Sequence, residues 1–404
     1  MKHRILVLGA GYAGAFAAGS LARRLSPADT EITVVNAEPV FVERMRMHQL
    51  AAGREPASQL LTDVFAGTGV QLRVARVTAV DPERGTVAVT GEEGDDELAY
   101  DTLLYTLGSR VADHGVPGVA EHAFDVAGRQ SALRLRARLD GLGGTGTVLV
   151  VGEGLTGIET ATELAESRPG LSVALAARGE LGAWLSPGAR LHLREAFDRL
   201  GITVHEHTGI EAVGPAHAVR ADGTSLPADV TVWTAGFAVD PLAAAAGLEV
   251  TEDGRIVVDD TMRSVSHPGV YAAGDSAYAI GDNGRPLPMS CASAGHTTMQ
   301  AADAIVARLT GRRVPKGKKT YVGNHISLGR YDAIFQMVDA DVRAKSWFVG
   351  GRKAARLKAA ILKGSLWATS HPTFGVPKLR RRPTTTTTPA GTTTQAGLPG
   401  EAAA

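Results

Sequence analysis

The chain opens with Arg4-Ile5-Leu6-Val7-Leu8-Gly9-Ala10-Gly11-Tyr12-Ala13-Gly14, and an Ala-rich run from Ala15 to Leu25 follows. The apolar run has the length of a buried strand, and the Ala-rich run has helical periodicity and good helix formers. A G-x-G-x-x-G turn between a strand and a helix is typical of a dinucleotide-binding βαβ unit, because its glycines permit a tight turn and a close approach to pyrophosphate. The stretch therefore predicts an α/β fold with cofactor contacts at Gly9, Gly11, Tyr12, Ala13 and Gly14.

The same pattern recurs 143 residues further along the chain. The apolar strand Thr147-Val148-Leu149-Val150-Val151 runs into Gly152-Glu153-Gly154-Leu155-Thr156-Gly157 and then a helix from Ile158 to Glu166. Two such turns, each between a strand and a helix, are far more specific than one. They predict a second nucleotide unit with cofactor contacts at Gly152, Gly154 and Gly157, whereas a role for Glu153 has less support.

Polar residues follow the second strand of each unit, where the ribose of a bound dinucleotide lies. In the first unit the strand is Thr30 to Val35, and both Asn36 and Glu38 remain open as the ribose partner. In the second unit the strand ends at Ala177, and Arg178 follows. An arginine without an adjacent acid favours the 2′-phosphate of NADPH over NADH, with a solvated loop arginine as the alternative.

Composition places the chain among globular proteins, with 404 residues, 44% hydrophobic and 21% charged. No run approaches the ~20 apolar residues of a membrane span, so we expect a cytoplasmic protein. The single cysteine, Cys291, excludes an internal disulfide and a Cys-based zinc site, and no metal site is predicted. We expect Cys291 to be a small buried residue and Trp233 to belong to a core strand.

The C-terminal quarter is strongly basic although the net charge of the chain is zero, with 18 Lys and Arg against three acids between positions 308 and 382. Such asymmetry indicates an anionic partner surface. In the predicted helix 351–363, Arg352, Arg356 and Lys363 share one face, with Ala354, Leu357 and Ile361 roughly opposite. Two interpretations remain open: a packed helix with a solvated charged face, or a helix lying peripherally on the inner face of the cell membrane.

The chain resembles the two-dinucleotide pyridine nucleotide-dependent flavoproteins. The resemblance rests on the two glycine turns, on the turns Thr106–Ser109 and Trp233–Gly236, and on Gly269-Val270-Tyr271-Ala272-Ala273-Gly274-Asp275. Three segments look like type II NADH dehydrogenases: 39–53, 154–159 and 326–330. The resemblance implies two Rossmann-like domains, an NAD(P)H-binding one (113–240) inserted into an FAD-binding one (1–112 and 241–311). A basic α+β or helical C-terminal domain (312–382) and a disordered Thr/Pro-rich tail (383–404) complete the predicted order.

The resemblance also implies roles for particular residues. Asp275 matches the aspartate that binds the flavin's ribityl chain, and further FAD or NAD(P)H contacts fall at Arg44, Gly108, Gly236 and Gly274. Glu159 matches a glutamate near the nicotinamide and flavin rings, although an acid in the first turn of a helix also stabilises the helix dipole. His296 has two readings, a proton relay to the acceptor and an ordinary helix residue beside the flavin.

The electron acceptor is the least determined part of the prediction. No cysteine lies between positions 36 and 60, which excludes the disulfide-reductase branches of the family. The resemblance implies a quinone, but the glutamines of the family's quinone stretch are missing at 294–299, so we expect a quinone-like acceptor. The alternatives are reduction of a ferredoxin- or rubredoxin-type carrier, or a flavin-bound redox sensor; no nucleic-acid recognition motif is present, and the oligomeric state, a homodimer included, stays open.

Overall fold

The computed structural model describes residues 1–384, and the predicted tail lies outside them apart from Pro383 and Thr384. The helices are α1 (Tyr12–Arg24), α2 (Met47–Ala51), α3 (Leu61–Phe65), α4 (Val119–His122), α5 (Arg129–Asp140), α6 (Leu155–Ser167), α7 (Pro187–Arg199), α8 (Leu242–Ala245), α9 (Cys291–Leu309) and α10 (Gly351–Ser370). The strands are β1 (His3–Leu8), β2 (Thr30–Asn36), β3 (Val40–Phe41), β4 (Gln59–Leu60), β5 (Gln71–Val74), β6 (Arg76–Asp81), β7 (Thr86–Gly91), β8 (Gly94–Ala99), β9 (Thr102–Tyr105), β10 (Ser109–Val111), β11 (Ala123–Phe124), β12 (Gly146–Val151), β13 (Leu171–Ala176), β14 (Thr203–His205), β15 (Ile210–Gly214), β16 (His217–Arg220), β17 (Ser225–Pro227), β18 (Val230–Trp233), β19 (Phe237–Val239), β20 (Ile256–Val257), β21 (Val270–Ala272), β22 (Ala277–Tyr278), β23 (Gly323–Ser327), β24 (Ala333–Val338) and β25 (Ala344–Gly350).

The first nucleotide unit is built on a parallel sheet with the strand order β21-β9-β1-β2-β5. Its central strand β1 is the apolar run that opens the chain, and Ile5, Leu6, Val7 and Leu8 are buried in it. A continuous apolar run is expected for a parallel strand that is covered on both faces. The edge strand β21 comes from the chain after the second unit, so the first unit is assembled from two separated segments.

The second nucleotide unit is another parallel sheet, with the order β11-β18-β12-β13-β14. The chain passes between the two sheets twice, and the passing strands β10 and β19 pair with each other antiparallel. This topology confirms the predicted fold class, in which one Rossmann-like unit is inserted into the other. The boundaries at 112, 240 and 311 stay a prediction.

The C-terminal region is an antiparallel sheet, β23-β24-β25, packed against α10, which confirms the α+β prediction. It is tied to the second unit because Asp332 accepts hydrogen bonds from His192 at 2.8 Å and Arg199 at 2.6 Å. It also reaches the first unit, where the Arg23 side chain donates to the Val376 carbonyl oxygen at 2.8 Å. The region therefore bridges both nucleotide units.

The polar segment 91–97 belongs largely to a strand, because β8 pairs with β7 and its acidic residues meet arginines, as in the 2.8 Å contact between Arg84 and Glu97. In α10, Leu357 is 42% exposed, whereas the buried face carries Ala354, Lys358 and Leu362.

No helix within residues 1–384 is both long and apolar enough to cross a membrane.

Candidate active site

The two glycine turns have the same geometry. Gly9 and Gly152 begin them with φ values of +91° and +114°, a conformation that side chains rarely adopt. A Cβ on Gly14 would lie 1.8 Å from the carbonyl oxygen of Gly9, and a Cβ on Gly157 would lie 1.8 Å from that of Gly152. Only glycine permits this packing of helix against strand.

The middle glycine of each turn faces open space at the start of a helix. No described atom lies within 4 Å of a Cβ placed on Gly11 or Gly154, and each of these residues caps a 13-residue helix without a side-chain hydrogen bond. Unpaired N–H groups and the positive end of the helix dipole favour an anion there. Both turns therefore fit the pyrophosphate of a dinucleotide.

Asn36 and Glu38, the two predicted ribose partners in the first unit, differ in their contacts. The Asn36 amide is already engaged, since its Oδ1 accepts from the Ala10 N–H at 2.8 Å and its Nδ2 donates to the Glu38 carbonyl oxygen at 2.8 Å. The Glu38 carboxylate makes no hydrogen bond within residues 1–384. The choice between Asn36 and Glu38 as the ribose partner stays a prediction.

Arg44 and Asp275 lie together at the edge of the first unit. Arg44 donates to the Ser109 carbonyl oxygen at 2.6 Å, the Ser109 hydroxyl donates to Asp275 at 2.7 Å, and the Arg44 guanidinium lies over the Phe237 ring at 5.4 Å. The Nη2 atom of Arg44 is buried with no hydrogen-bond partner among the described residues. Buried donors in folded proteins nearly always have a polar partner, so this atom fits a polar group of a bound molecule.

The neighbouring turns are held by hydroxyl groups. The Gly108 N–H donates to the Ser276 hydroxyl at 2.9 Å, and the Gly274 N–H donates to the Thr297 hydroxyl at 3.0 Å. Gly274 lies close to the first glycine turn, because a Cβ on it would be 3.4 Å from the Ala13 methyl group. These contacts bring the predicted positions Ala13, Gly108 and Gly274 to one side of the first sheet.

A cleft of about 780 Å³ is lined by both nucleotide units and the C-terminal region. The predicted site residues that line it come from both units: Arg44, Gly152, Gly154, Glu159, Arg178, Gly236 and Asp275. The others are not among its lining residues: Gly9, Gly11, Tyr12, Ala13, Gly14, Asn36, Glu38, Gly108, Gly157, Gly274 and His296. Tyr12 instead packs edge-on against Phe41 with ring centroids 5.0 Å apart.

Glu159 forms a buried ion pair at the cleft with Lys358, a residue that the sequence prediction missed. Its carboxylate accepts from the Lys358 ammonium and from the Ser327 N–H at 2.9 Å, and Lys358 also donates to the His325 carbonyl oxygen at 3.2 Å. Burial lowers the pKa of Lys358 to about 7. Because α6 begins at Leu155, Glu159 lies beyond the first turn, so the helix-dipole explanation for this acid is wrong.

His48 is a second group that the sequence prediction missed. It lines the cleft, is only 3% exposed, and its Nε2 atom has no hydrogen-bond partner within the described chain. Burial lowers the pKa of His48 to about 3, with the Lys358 charge as a smaller cause. The imidazole is therefore neutral at physiological pH and keeps one ring nitrogen for a bound molecule.

His296 and Gln300, both in α9, have different environments. His296 is half-buried, and its proposed proton relay stays a prediction. Gln300, the glutamine next to the missing quinone stretch, is buried and used structurally, with its amide donating to the Pro315 carbonyl oxygen at 3.1 Å and accepting from the Gly317 N–H at 2.9 Å. It therefore holds the chain after α9 in place.

Cys291 is exposed and lines the cleft, so the prediction of a buried residue is wrong. It is the first residue of α9, and the start of that helix faces the cleft. Desolvation within the cleft, together with the Asp275 carboxylate, raises the pKa of its thiol to about 11, which makes it a poor nucleophile at neutral pH. The prediction for Trp233 is confirmed, since it is 3% exposed and donates to the Ala112 carbonyl oxygen at 2.8 Å.

Two parallel-sheet units with glycine turns, one inserted into the other and both lining one cleft, define the class of two-nucleotide pyridine nucleotide oxidoreductases. The chain belongs to the pyridine nucleotide-disulphide oxidoreductase family, whose model matches residues 3–302. An NADH dehydrogenase-like protein of Mycobacterium tuberculosis is 35% identical over 316 residues, covering 71% of this chain and 76% of the relative. The type II NADH:quinone oxidoreductase of Staphylococcus epidermidis is 26% identical and covers 89% of this chain and 94% of the relative.

Solved structures share the fold across nearly the whole chain. The sulfide:quinone oxidoreductase of Aquifex aeolicus has a TM-score of 0.77 at 18% identity and covers 92% of this chain and 93% of its own. NDH2 from Plasmodium falciparum in complex with NADH has a TM-score of 0.76 at 14% identity, with coverage of 93% and 97%. The similar sequences confirm the resemblance to type II NADH dehydrogenases, and the chain is an oxidoreductase of the pyridine nucleotide-disulphide oxidoreductase family.

Proposed function

We propose that this protein takes a hydride from NAD(P)H onto FAD and passes the electrons to a quinone-like small molecule. The observation that carries the proposal is that residues of both nucleotide units line the same cleft, among them Arg44 and Asp275 from the first unit and Gly154 and Arg178 from the second. The type II NADH:quinone oxidoreductase named above supports the quinone acceptor at 26% identity. When bound, FAD supplies the redox chemistry, and the protein supplies binding and orientation.

The first unit holds FAD with its own residues. The turn from Gly9 to Gly14 receives the pyrophosphate, Glu38 accepts from the ribose, and Asp275 receives the ribityl chain. The buried Nη2 atom of Arg44, which has no hydrogen-bond partner within residues 1–384, donates to a polar group of FAD. The predicted contacts at Tyr12, Ala13, Gly108 and Gly274 belong to the same proposal.

The second unit holds NAD(P)H on the turn from Gly152 to Gly157, with Gly236 at the adjoining strand end. Arg178 is exposed and makes no side-chain hydrogen bond or ion pair within the described chain, so its guanidinium is available to a 2′-phosphate. Its fixed charge and planar donors suit a phosphate, which supports the use of NADPH.

The Glu159–Lys358 pair supplies a proton donor at the cleft. A quinone takes up protons when it is reduced, and the buried Lys358 ammonium, whose pKa burial lowers, lies beside the cleft. A lowered pKa makes the ammonium a stronger acid, which favours proton transfer to the acceptor. We propose that the pair delivers a proton to the acceptor, with His296 kept as an alternative relay.

A second acceptor class is favoured by the charge of the C-terminal region. The 18 basic and three acidic residues between 308 and 382 suit an acidic protein carrier, because complementary charge accelerates encounter. A solved reductase–carrier complex, that of putidaredoxin reductase with putidaredoxin, shares the fold at a TM-score of 0.68. A small quinone and a protein carrier are distinguished directly by kinetics.

The test is stopped-flow oxidation of the NADPH-reduced protein by a panel of quinones, ferredoxin and oxygen, followed by flavin absorbance. We expect a quinone to reoxidise the protein fastest, and fastest oxidation by ferredoxin would instead support the carrier reductase. Lys358→Met should slow oxidation by quinone about 100-fold while leaving reduction by NADPH within a few-fold, since general acids contribute roughly 10²–10⁴ in rate. Lys353→Met, on the exposed face of the same helix, is the matched control and should change neither rate.

The same experiment tests whether the thiol in the cleft takes part. We expect Cys291→Ser to keep both half-reactions within a few-fold, because the raised pKa of this thiol disfavours the thiolate. A loss beyond about 100-fold, or about 2.7 kcal/mol of barrier, would place the thiol in the redox cycle.

A further inference from the structure

The end of β13 in the second nucleotide unit lacks the acid that usually accepts hydrogen bonds from the adenosine ribose. Ala177, Arg178 and Gly179 occupy this place. A carboxylate nevertheless reaches it from the glycine turn, because Glu153 Oε2 accepts from the Arg178 N–H at 3.2 Å and Glu153 Oε1 accepts from the Gly179 N–H at 3.3 Å. The acid is present but comes from a different part of the unit.

The first unit shows the opposite arrangement. There the residue at the strand end, Asn36, reaches back and accepts from the N–H of Ala10 in the glycine turn. Ala10 and Glu153 hold the same place in their turns, directly after the first glycine. In both units one side chain links the glycine turn to the strand end. In the first unit it belongs to the strand end (Asn36), whereas in the second unit it belongs to the turn and is a carboxylate (Glu153).

We infer that Glu153 is the acid that binds the adenosine ribose in this chain and that it opposes the 2′-phosphate of NADPH. This inference rests on the proposed use of NAD(P)H. Glu153 lines the cleft beside Gly154, where no described atom lies within 4 Å of an added Cβ. Each carboxylate oxygen has lone pairs left for ribose hydroxyls, whereas a phosphate offers no donor and carries like charge.

Arg178 follows the same strand end and carries the opposite charge. Its backbone N–H holds the Glu153 carboxylate, while its exposed side chain is available to the ligand. One ribose thus meets an acid that favours NADH and an arginine that favours NADPH. Glu153 and Arg178 together make the site accept both NADH and NADPH, and these two side chains set the ratio of the two affinities.

The test is calorimetric titration of the flavin-loaded protein with ADP-ribose and with 2′-phospho-ADP-ribose, which needs no turnover. We expect the wild type to bind both ligands. Glu153→Gln should tighten 2′-phospho-ADP-ribose at least about fivefold and weaken ADP-ribose several-fold, because it removes the repulsion and a charged acceptor. Arg178→Ala should weaken 2′-phospho-ADP-ribose at least about fivefold and leave ADP-ribose nearly unchanged.

Glu180→Gln is the matched control, since it removes an exposed acid two residues beyond Arg178 that pairs with Arg190. It should leave the ratio of the two dissociation constants unchanged, and thermal unfolding should show that every variant is folded. An unchanged ratio in Glu153→Gln overturns the inference while leaving the proposed function intact. A wild type that binds neither ligand overturns the proposed use of NAD(P)H, and the inference with it.

Discussion

The buried His48 side chain makes the stability of the protein depend on pH. It is held in the cleft without a partner for Nε2 within residues 1–384, and burial lowers its pKa from 6.5 to about 3. The unfolded chain therefore binds a proton between pH 3 and 6.5 that the folded chain does not. Since stability rises with pH wherever the unfolded state binds more protons, His48 makes the protein less stable as the pH falls through this range.

We predict that His48→Gln reduces the loss of stability between pH 6.5 and pH 4. The expected change is up to about 1.4 kcal/mol per pH unit, which is the value of one proton. Chemical unfolding of wild type and variant across this range measures it. His217→Gln, on the exposed start of β16, is the control, and an equal pH dependence in wild type and His48→Gln would contradict the prediction.

The helix α10 has one face in the protein and one face in solvent. Ala354, Lys358 and Leu362 form the buried face, which packs on the C-terminal sheet. The outer face combines the exposed basic residues Arg352 and Arg356 with exposed apolar ones, among them Leu357 and Trp367 at 42% and 46%. Basic residues beside apolar ones are typical of a helix that rests on an anionic membrane surface.

We predict weak, salt-sensitive binding to anionic vesicles that the double variant Arg352→Glu/Arg356→Glu reduces at least about tenfold, since each basic residue contributes about 1 kcal/mol near such a surface. Cosedimentation with vesicles of phosphatidylserine and phosphatidylcholine measures it. Arg343→Glu/Lys345→Glu, an equal charge change around the start of β25, is the control. Equal vesicle binding by all three proteins would leave α10 as an ordinary packed helix.

Across the molecule, the Lys358–Glu159 pair joins the C-terminal region to the second nucleotide unit. The two residues are 199 positions apart and both are buried. Removing one member of a buried pair leaves an uncompensated charge, which costs about 3–5 kcal/mol, whereas replacing both members by neutral groups is often close to neutral. The pair therefore makes the stability of one region depend on the other.

We predict that Lys358→Met lowers the midpoint of thermal unfolding strongly and that Glu159→Gln/Lys358→Met recovers most of the loss. Differential scanning calorimetry measures both variants. Lys353→Met, on the exposed face of the same helix, should change the midpoint little. A double variant as unstable as Lys358→Met alone would show that the lysine stabilises the protein through packing and not through its charge partner.

The sequence by itself determined the two nucleotide units and their order. Each unit depends on residues that are neighbours along the chain, such as the run from Arg4 to Gly14, where strand, glycine turn and helix follow one another. Local sterics decide such a turn, because Gly14 must pass within contact distance of Gly9. Because such a turn is typical of a dinucleotide site, the sequence also indicated the class of cofactor, a dinucleotide.

Only the tertiary structure decided which polar groups meet in the cleft. The α10 sequence has both a basic and an apolar stripe, and its helical period does not say that Lys358 is the lysine that is buried. That choice depends on a carboxylate from a distant helix, and the place of Glu153 depends on N–H groups 25 and 26 residues away. A buried charge is tolerated only where a partner compensates it, and such partners are set by packing between separate parts of the chain.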